Sequence, residues 1–250
     1  MPLIDLSAPI RPDPAEYPDV IRTDIEFEKH DQGAETIDTL FGDKPELLRD
    51  GEGWATETFI RFGTHNSTHV DAPWHYNSTI GGHPAQTIDQ LPLEWFYAPG
   101  AVVDATDRAD GEALSAANVE ERLPRDLREL DIVLVRTGRD EFYDQPDYIA
   151  RGPGVSAEAT RWLYEQGIRV MGIDAWGWDA PLHMQAEQAK AVGRQGIFWA
   201  AHQVDLAYSQ IERLFNLGSL PDHGFQVACF PLRIEGGSAA PARVVGIVPE

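Results

Sequence analysis

The stretch "VSAEATRWLYEQGIRVMGID", residues 155–174, decides the fold class, because it predicts a helix followed at once by a buried strand. Ser156 is a favoured N-cap, and Gly167 is a typical residue to end a helix, with apolar residues at helical spacing between them. Upstream, "DIVLVRTG" at residues 131–138 is a short β-branched run that ends in a turn signal, as buried strands do. The succession of strand, helix and strand is typical of an α/β protein.

Further strands are predicted on both sides of this unit. "AVVDAT" at residues 101–106 precedes it. Near the C-terminus, "FQVACFPLRIE" (225–235) and "ARVVGIV" (242–248) are separated by a turn signal and predict a β-hairpin or two sheet strands. Between these regions, "VDLAYSQIERLFNLG" (204–218) predicts a second helix that ends at Gly218. We therefore expect a mixed α/β fold.

The first 55 residues are rich in Pro, Asp and Glu, and they predict loops, short strands and a helix near "DTLFGDKPELLRD" (38–50). No internal repeat or linker-like stretch divides the chain, so we expect residues 1–250 to form a single compact domain. A hydrophobic content of 42% supplies an ordinary core. Cys229 lies in an apolar run, where a small buried thiol is expected.

Charge limits the partners that we expect. The formal net charge of −21 repels phosphate backbones and anionic lipid, so we expect neither nucleic acid nor a membrane as a partner. The expected partner is a small-molecule substrate. Divalent cations are attracted to such a chain, although an acidic composition is more often only a solvated surface. The sequence has no apolar run near 18 residues and no signal-peptide pattern at its start, which predicts a cytoplasmic protein.

A histidine cluster in "THNSTHVDAPWHY", residues 64–76, carries the functional signal. On one straight strand, His65 and His69 would stand roughly 13 Å apart, too far to share one ion. A helix would turn Asp71 away from them, and the proline that follows disfavours it. We therefore predict a bend at the Asn-Ser pair between the two histidines, followed by an extended segment in which His69 and Asp71 share one face.

The residue types of this cluster suit a divalent metal ion. Two imidazoles and one carboxylate, from His65, His69 and Asp71, form a borderline N/O set for Zn²⁺, Mn²⁺ or Fe²⁺. With three nearby ligands such an ion keeps a position for water, lowers the pKa of that water and polarises a carbonyl group. His75 follows the rigid proline and is a candidate proton shuttle. A lone histidine is usually structural or exposed, but the complete H-x3-H-x-D-x3-H spacing is far more specific.

The segment "HNSTHVDAPWH" closely resembles the H-x-G-T-H-x-D-x-P-x-H signature of the cyclase family of metal-dependent hydrolases, which includes bacterial kynurenine formamidase and isatin hydrolase. Ser67 stands where that signature has Gly. The segments "PLEWFYAPGAVVDAT", "DIVLVRTGRDEFY", "GIRVMGIDAWGWD" and "IERLFNLGSLPDHGFQVACFPLRI" extend the resemblance from about residue 55 to the C-terminus. The resemblance implies a compact α/β fold of the swivelling β/β/α type and a homo-oligomer, either a dimer or a tetramer.

The same resemblance implies a reaction. His65, His69 and Asp71 would bind the metal, and His75 would be the catalytic acid/base. The expected function is hydrolysis of an amide C–N bond in an N-formyl arylamine or a cyclic amide. A hydroxide formed at the ion would attack the carbonyl carbon, and His75 would pass the proton to the leaving nitrogen. A lactone is an alternative substrate for the same chemistry.

The number of ions stays open in the sequence. In the formamidase branch, Asp71 would bridge to a second zinc, for which His202 and Glu212 are the candidate ligands. If residues 204–218 form a helix, these two side chains converge only when His202 precedes the start of that helix. The manganese-using branch needs fewer ions. We therefore expect one or two ions of zinc or manganese per subunit.

The segment "GIDAWGWDAPLH" follows a predicted strand and holds further pocket candidates. Trp176 and Trp178 could form the wall of a pocket for a flat ring, or they could be core or subunit-contact residues. His183 is a weaker pocket candidate, and Asp174 is expected to be structural.

Two other functional classes stand beside the hydrolase. "HVD" with His202 also matches the ligand set of 2-oxoglutarate-dependent iron oxygenases, with Arg213 placed to hold a co-substrate carboxylate, but this hypothesis leaves His65 and His75 unused. A metal-binding module without catalysis is the other alternative, and an intact His75 weighs against it. The sequence contains no P-loop, G-x-G-x-x-G or G-x-S-x-G pattern, so nucleotide chemistry and serine hydrolysis have no support.

Overall fold

The computed structural model describes residues 1–15, 17–42 and 45–249. These residues divide into two compact units, of which one comprises Met1–Pro9 with Ser67–Glu250 and the other comprises Ile10–Asn66. The organisation of residues 1–250 as a single domain stays a prediction.

The described residues form thirteen strands and five α-helices. In chain order the strands are β1 (Leu3–Asp5), β2 (Asp24–Glu28), β3 (Thr56–Arg61), β4 (His69–Asp71), β5 (Thr79–Ile80), β6 (His83–Pro84), β7 (Tyr97–Asp104), β8 (Ile132–Arg136), β9 (Val170–Ile173), β10 (Ser209–Glu212), β11 (His223–Ala228), β12 (Ala239–Pro241) and β13 (Val245–Ile247). The helices are α1 (His30–Phe41), α2 (Pro73–Tyr76), α3 (Ala116–Arg122), α4 (Ala157–Glu165) and α5 (Leu182–Val192).

A nine-stranded mixed sheet organises the larger unit, with the strand order β1-β13-β11-β7-β8-β9-β10-β4-β12. The four strands β7 to β10 run parallel to one another in its centre. The strands on both sides of this group pair antiparallel. The predicted α/β class is therefore confirmed.

The strand, helix and strand of residues 131–174 form as predicted. β8 and β9 pair parallel, and α4 connects them. The Ser156 hydroxyl caps α4 by accepting a hydrogen bond from the backbone N–H of Ala159. Gly167 follows the helix with φ of 89°, in the left-handed region that glycine adopts without a side-chain clash.

Alternation along β8 builds the core on both faces of the sheet. Ile132 and Leu134 belong to one buried apolar cluster, and Val133 and Val135 belong to another. All four side chains are fully buried, and each contributes about 1.5–3 kcal/mol relative to an exposed position. A strand that is buried on both faces lies in the middle of a parallel group, which explains its continuous apolar sequence.

The predicted helix over residues 204–218 is wrong. The segment instead contains β10, which pairs parallel with β9 and antiparallel with β4, and all four of its residues are buried. Gly218 lies in a short 3₁₀ turn, Leu217–Ser219. Backbone pairing on both sides of β10 outweighs the apolar spacing that favoured a helix, because a short apolar run does not distinguish a buried strand from a helix.

The other predicted strands are confirmed. Residues 101–106 overlap β7, which begins earlier, at Tyr97. The run at residues 225–235 overlaps β11, which begins earlier, at His223, and the run at residues 242–248 contains β13. These two strands pair antiparallel. They are not a simple hairpin, because β12 intervenes in the chain and pairs with β4 at the far side of the sheet.

The smaller unit, Ile10–Asn66, contains α1 and the antiparallel pair β2–β3. Gly33 of α1 lies so close to the chain that a Cβ there would be 1.9 Å from the Trp54 carbonyl oxygen. The helix predicted near residues 38–50 overlaps the end of α1, and Arg49–Gly51 forms a 3₁₀ turn. Asp43 and Lys44 of that prediction lie outside the described residues.

Two further features are the burial of Cys229 and the length of the helices. Cys229 is fully buried, and burial raises the pKa of its thiol. Among the described residues, none of the helices has the length and apolar character needed to cross a membrane.

Candidate metal centre

The strand β4 places two predicted ligands between two neighbouring strands. In the antiparallel register, His69 lies opposite Glu212 of β10, and Asp71 lies opposite Ala239 of β12. His69 and Asp71 point to the same side of the strand because side chains alternate. Directly opposed residues of an antiparallel pair share a face, so Glu212 joins them. His69 and Asp71 are completely buried, and Glu212 nearly so.

The orientation of the His69 ring is fixed by the turn before it. Its Nδ1 lies 2.9 Å from the carbonyl oxygen of Ser67, which can only accept, so Nδ1 carries the hydrogen. Nε2 then presents its lone pair on the other side of the ring, 3.2 Å from Asp71 Oδ1 and 3.6 Å from Glu212 Oε2. A backbone carbonyl on one nitrogen of a histidine, with the other nitrogen facing carboxylates, is the arrangement that metal-binding histidines use.

These three side chains fit a divalent cation. One ligand atom each from His69, Asp71 and Glu212 lies within 4.8 Å of the other two. Ligands at about 2.0–2.2 Å from a common ion lie at most about 4.4 Å apart, and the distances of 3.2 Å and 3.6 Å from His69 Nε2 to the two carboxylates are within that limit. Two buried carboxylates side by side repel each other, and a cation between them offsets that repulsion. A ligand set of one imidazole nitrogen and carboxylate oxygens suits either Zn²⁺ or Mn²⁺.

His202 extends the cluster. Its Nε2 lies 3.3 Å from Glu212 Oε1 and 3.9 Å from Asp71 Oδ2. Its Nδ1 lies 2.5 Å from Asp179 Oδ2, and the same carboxylate accepts hydrogen bonds from the backbone N–H groups of Ala201 and His202. Asp179 therefore fixes both the ring and the backbone of His202, with Nε2 aimed at the carboxylates.

The carboxylates around His202 control its protonation. Burial alone lowers the pKa of His202, but the hydrogen bonds and charges of Asp179 and Glu212 outweigh burial and raise this pKa to about 10. Burial likewise opposes the charge on Asp179, and its hydrogen bond to His202 leaves the pKa of the carboxyl below its ordinary value. Without an ion, the imidazolium of His202 is thus the positive charge that this acidic cluster holds.

Glu212 is held from a second direction. Its Oε1 accepts a hydrogen bond from the backbone N–H of Trp178 at 2.9 Å. Burial raises the pKa of Glu212, but the hydrogen bond with His202 is the main opposing contribution and leaves the pKa below its ordinary value. The carboxylate form is therefore favoured at the position opposite His69.

His202 and Glu212 do converge, by a route that the sequence argument did not foresee. Glu212 lies at the end of β10, and His202 lies in a turn that precedes this strand. The helix predicted over residues 204–218, on which the condition for their convergence was based, does not form. A turn followed by a strand brings their side chains to 3.3 Å without any helical constraint.

His75 lies at the edge of this cluster, on the one-turn helix α2. Pro73 occupies the first turn of that helix, where the missing N–H of proline has no cost. The centroid of the His75 ring is 5.9 Å from that of His202. His75 therefore adjoins the candidate ligands from outside the strand that carries His69 and Asp71.

The predicted bend before His69 is present, and it explains the departure from the signature. Ser67 has φ of 57°, in the left-handed region, and residues 69–71 then run extended. Glycine adopts this conformation without the clash that a Cβ introduces, which accounts for Gly in the family pattern. Here the Ser67 hydroxyl donates a hydrogen bond to the carbonyl oxygen of Ala8, at 3.0 Å.

His65 belongs to the compact unit Ile10–Asn66, whereas the other motif residues belong to the larger unit. Its role as a ligand stays a prediction from the sequence.

The tryptophans of "GIDAWGWDAPLH" have different environments. Trp178 is completely buried, and its indole N–H donates to the Thr160 hydroxyl at 2.9 Å, which is the core alternative. Trp176 is half-buried, with the guanidinium of Arg213 4.7 Å from its ring centroid. His183 is exposed on α5.

Asp174 is structural, as expected. Its carboxylate is buried and accepts hydrogen bonds from the Thr137 N–H and hydroxyl and from the Gly138 N–H. These bonds tie the end of β9 to the end of β8.

Sequence reasoning missed the roles of Asp179 and Trp199. Asp179 was recognisable only as a carboxylate after a strand, and its partner His202 is 23 residues away in the chain. Trp199 lies three residues before His202, and its ring stacks on that of His202 with centroids 4.6 Å apart. A pattern of residues does not reveal either contact, because both depend on the path of the turn at residues 198–204.

With the geometry established, comparison with known proteins identifies the class. A family model described as "Putative cyclase" matches residues 4–180, more than half of the chain. The chain therefore belongs to this family, as the signature predicted.

Its relatives include enzymes of two names. A kynurenine formamidase from Salinibacter ruber is 27% identical over 199 residues, covering 74% of this chain and 77% of its own length. An isatin hydrolase from Roseibium aggregatum is 27% identical over 203 residues, covering 75% and 73%. A kynurenine formamidase from Bacillus cereus is 21% identical but covers 97% of this chain and 95% of its own.

Solved structures agree on the fold. Isatin hydrolase A from Labrenzia aggregata, bound to benzyl benzoate, superposes with a TM-score of 0.74 and 25% identity over 100% of this chain and 94% of that chain. A potential metal-dependent hydrolase with cyclase activity superposes with a TM-score of 0.65 and 22% identity over 100% and 98%. The predicted cyclase-like fold is confirmed, and the names of the relatives favour the amide hydrolase over the oxygenase and the non-catalytic module.

Proposed function

We propose that this protein is a metal-dependent hydrolase of amide C–N bonds. The observation that carries the proposal is the convergence of His69, Asp71 and Glu212 on one buried point. His202 Nε2 lies 3.3 Å from Glu212 Oε1, and the His75 ring is 5.9 Å from that of His202. Ligands and a titratable imidazole side by side are what hydrolysis by an activated water requires.

The residues divide by role. His69, Asp71 and Glu212 would hold a divalent ion, and His202 would add a nitrogen on the Glu212 side. His65 is predicted from the sequence to complete the ligand set. Asp71 offers two oxygens, with Oδ1 near His69 and Oδ2 towards His202. This division supports a bridging role for Asp71, and two ions per subunit is the arrangement that we propose.

When bound, the ion would activate a water molecule and polarise the substrate carbonyl. His75 would act on the proton: it would accept one as the water attacks and donate one to the leaving nitrogen. His75 lies on a helix of one turn rather than on β4 and is outside the group of His69, Asp71 and Glu212, although one of its nitrogens lies within 4.8 Å of an Asp71 carboxylate oxygen.

The substrate class is the finer part of the proposal. Two aromatic rings adjoin His75 and His202, those of Tyr76 and Trp199, and the ring of Tyr208 stacks on that of Tyr76. The names of the relatives, kynurenine formamidase and isatin hydrolase, support an N-formyl arylamine or a cyclic aryl amide as the proposed substrate. A lactone is the second candidate, because the same groups would open an ester ring. A cytoplasmic location is proposed from the sequence, and a homodimer or homotetramer is proposed from the family resemblance.

The test is a hydrolysis assay with metal-reconstituted protein. An N-formyl arylamine, a cyclic aryl amide and an aryl lactone would be compared after removal of metal with a chelator and after addition of Zn²⁺ or Mn²⁺. The proposal expects turnover of an amide that is lost with the chelator and restored by one of the ions. Turnover of the lactone alone would favour the second candidate. Equal rates with and without metal would contradict the proposal.

A further inference from the structure

An unusual backbone conformation lies next to His202. Among the described residues, six non-glycine residues have positive φ: Asp50, Ser67, Leu130, Trp199, Arg213 and Asn216. Three of these adjoin candidate ligands, since Ser67 is two residues before His69, Trp199 is three before His202 and Arg213 follows Glu212. Trp199, with φ of 59°, is the bulkiest of the six. For a bulky side chain this conformation is rare and persists only where its surroundings determine it.

The side chain of Trp199 contacts both histidines that the proposed reaction uses. Its ring stacks on that of His202, with centroids 4.6 Å apart and an interplanar angle of 22°. It meets the His75 ring at 5.1 Å and 86°. Both separations lie in the range of direct aromatic contact. The imidazole rings of His75 and His202 therefore both pack against the indole of Trp199.

The backbone of Trp199 is anchored by one buried side chain. Its N–H donates to Gln185 Oε1 at 2.6 Å. Gln185 is the one buried residue of α5, whose other residues are half-buried or exposed. Its Nε2 donates to the Ala180 carbonyl oxygen at 2.7 Å and lies 3.2 Å from Asp179 Oδ1. The carboxylate that fixes His202 is thus linked through Gln185 to the residue that stacks on His202.

We propose that Trp199 is a positioning residue for the metal centre, held in its left-handed conformation by Gln185, and that its indole sets the orientation of His202 and His75. This inference rests on the proposed function of those two histidines. Trp199 acts on the ion and on proton transfer through them and does not itself supply a ligand.

A positioning role for Trp199 differs from a simple packing role in the quantities that a substitution would change. A residue that only fills the loop would affect stability alone. A residue that orients His202 and His75 affects ion affinity through the first and kcat through the second. A residue that forms the substrate wall would instead raise KM.

The test compares Trp199→Ala, Trp199→Phe and Gln185→Leu with two control variants. Trp162→Phe changes a half-buried tryptophan on α4, and Gln188→Leu changes an exposed glutamine on α5. Zn²⁺ affinity would be measured by competition with a chelator, tryptophan emission would be followed during the Zn²⁺ titration, and kcat and KM would be measured separately on the amide that wild type hydrolyses.

Trp199→Ala is expected to lower Zn²⁺ affinity about tenfold or more, the scale on which supporting residues act on bound metals, and to lower kcat with little change in KM. Gln185→Leu is expected to act in the same direction, because it releases the Trp199 backbone. Trp199→Phe keeps an aromatic ring and should recover most of the affinity, while it reduces the emission change that Zn²⁺ produces in wild type. The two controls should match wild type in all three measurements.

Ion affinity and kcat equal to the controls in both Trp199→Ala and Gln185→Leu would overturn the inference and leave the proposed function intact. A rise in KM alone would also overturn it, by assigning Trp199 to the substrate wall. If Trp199→Ala does not fold, Gln185→Leu and the emission of Trp199→Phe decide, and a Zn²⁺-induced emission change that is as large in Trp199→Phe as in wild type contradicts the inference. A wild-type protein that takes up no ion would instead refute the proposed function itself.

Discussion

The Nδ1 of His202 and the Oδ2 of Asp179 are joined by a hydrogen bond of 2.5 Å, and both side chains are buried. The bond turns His202 Nε2 towards Glu212 and Asp71, and so makes His202 a candidate ligand. Asp179 does not touch the other candidate ligands in any described contact. Its influence on an ion passes through the ring of His202.

Asp179→Asn should weaken ion binding. The Asp179 carboxylate accepts hydrogen bonds from the backbone N–H groups of Ala201 and His202 and from the ring of His202. An amide in its place turns an NH₂ donor towards some of these N–H donors. We expect Zn²⁺ affinity to fall by about 10–100-fold, measured by competition with a chelator. Asp174→Asn is the matched control, a buried carboxylate that accepts its bonds elsewhere, and it should alter stability but not ion affinity. Equal affinities in the two variants would contradict the role of Asp179.

Ion binding should depend on pH in a direction set by His202. With its pKa raised to about 10, His202 is protonated near pH 7 in the ion-free protein, and an ion at Nε2 displaces that proton. Zn²⁺ affinity should therefore rise with pH through the neutral range, by up to about tenfold per unit for one proton. Calorimetry in buffers of different ionisation enthalpy would count the protons released, and His202→Ala should release one fewer than wild type.

The same shift has a consequence for stability without metal. A histidine whose folded pKa is raised stabilises the fold most below its unfolded pKa of 6.5, and this contribution is lost as the pH rises towards about 10. Denaturation of the ion-free protein should show declining stability between these values, and a pH-independent free energy of unfolding would contradict the assignment.

His75→Ala should separate catalysis from ion binding. The variant removes the proposed acid/base and leaves His69, Asp71 and Glu212 in place, so metal content should match wild type while kcat falls by about 10²–10⁴-fold. Metal content and turnover would be measured on the same preparation. Retained turnover would assign the proton transfer to another group, and loss of metal would make His75 a ligand.

Ser67 offers a test of the backbone at the bend. Ser67→Ala keeps the Cβ in a left-handed conformation and loses the hydrogen bond to Ala8, at a cost of about 1 kcal/mol. Ser67→Gly loses the same bond but removes the Cβ clash, worth about 1–2 kcal/mol. Chemical denaturation should therefore find the Gly variant more stable than the Ala variant by about 1 kcal/mol. The reverse order would show that the φ of Ser67 carries no strain.

The sequence predicted what depends on local rules. The sharing of a face by His69 and Asp71 follows from strand alternation, and the helix cap at Ser156 follows from the chemistry of one side chain. β10 was mistaken for a helix because its pairing with β9 and β4 is a property of distant segments.

The supporting contacts of the site were not predictable in the same way. The approach of Asp179 to His202 and of Gln185 to Trp199 depends on how α5 and the following turn fold back. Residue types alone do not encode these distances, whereas the ligands themselves are recognisable from their spacing. The family signature thus located the centre of the site but not the side chains that orient it.

The central claim is a divalent ion at Asp71, because Asp71 belongs to the ligand set whether one ion or two are bound. Elemental analysis of protein purified without chelator, as wild type, Asp71→Asn and the buried control Asp174→Asn, tests it most directly. The account predicts two equivalents of zinc or manganese per subunit in wild type and in Asp174→Asn, and almost none in Asp71→Asn. Metal-free wild type, or equal metal content in all three proteins, would contradict it.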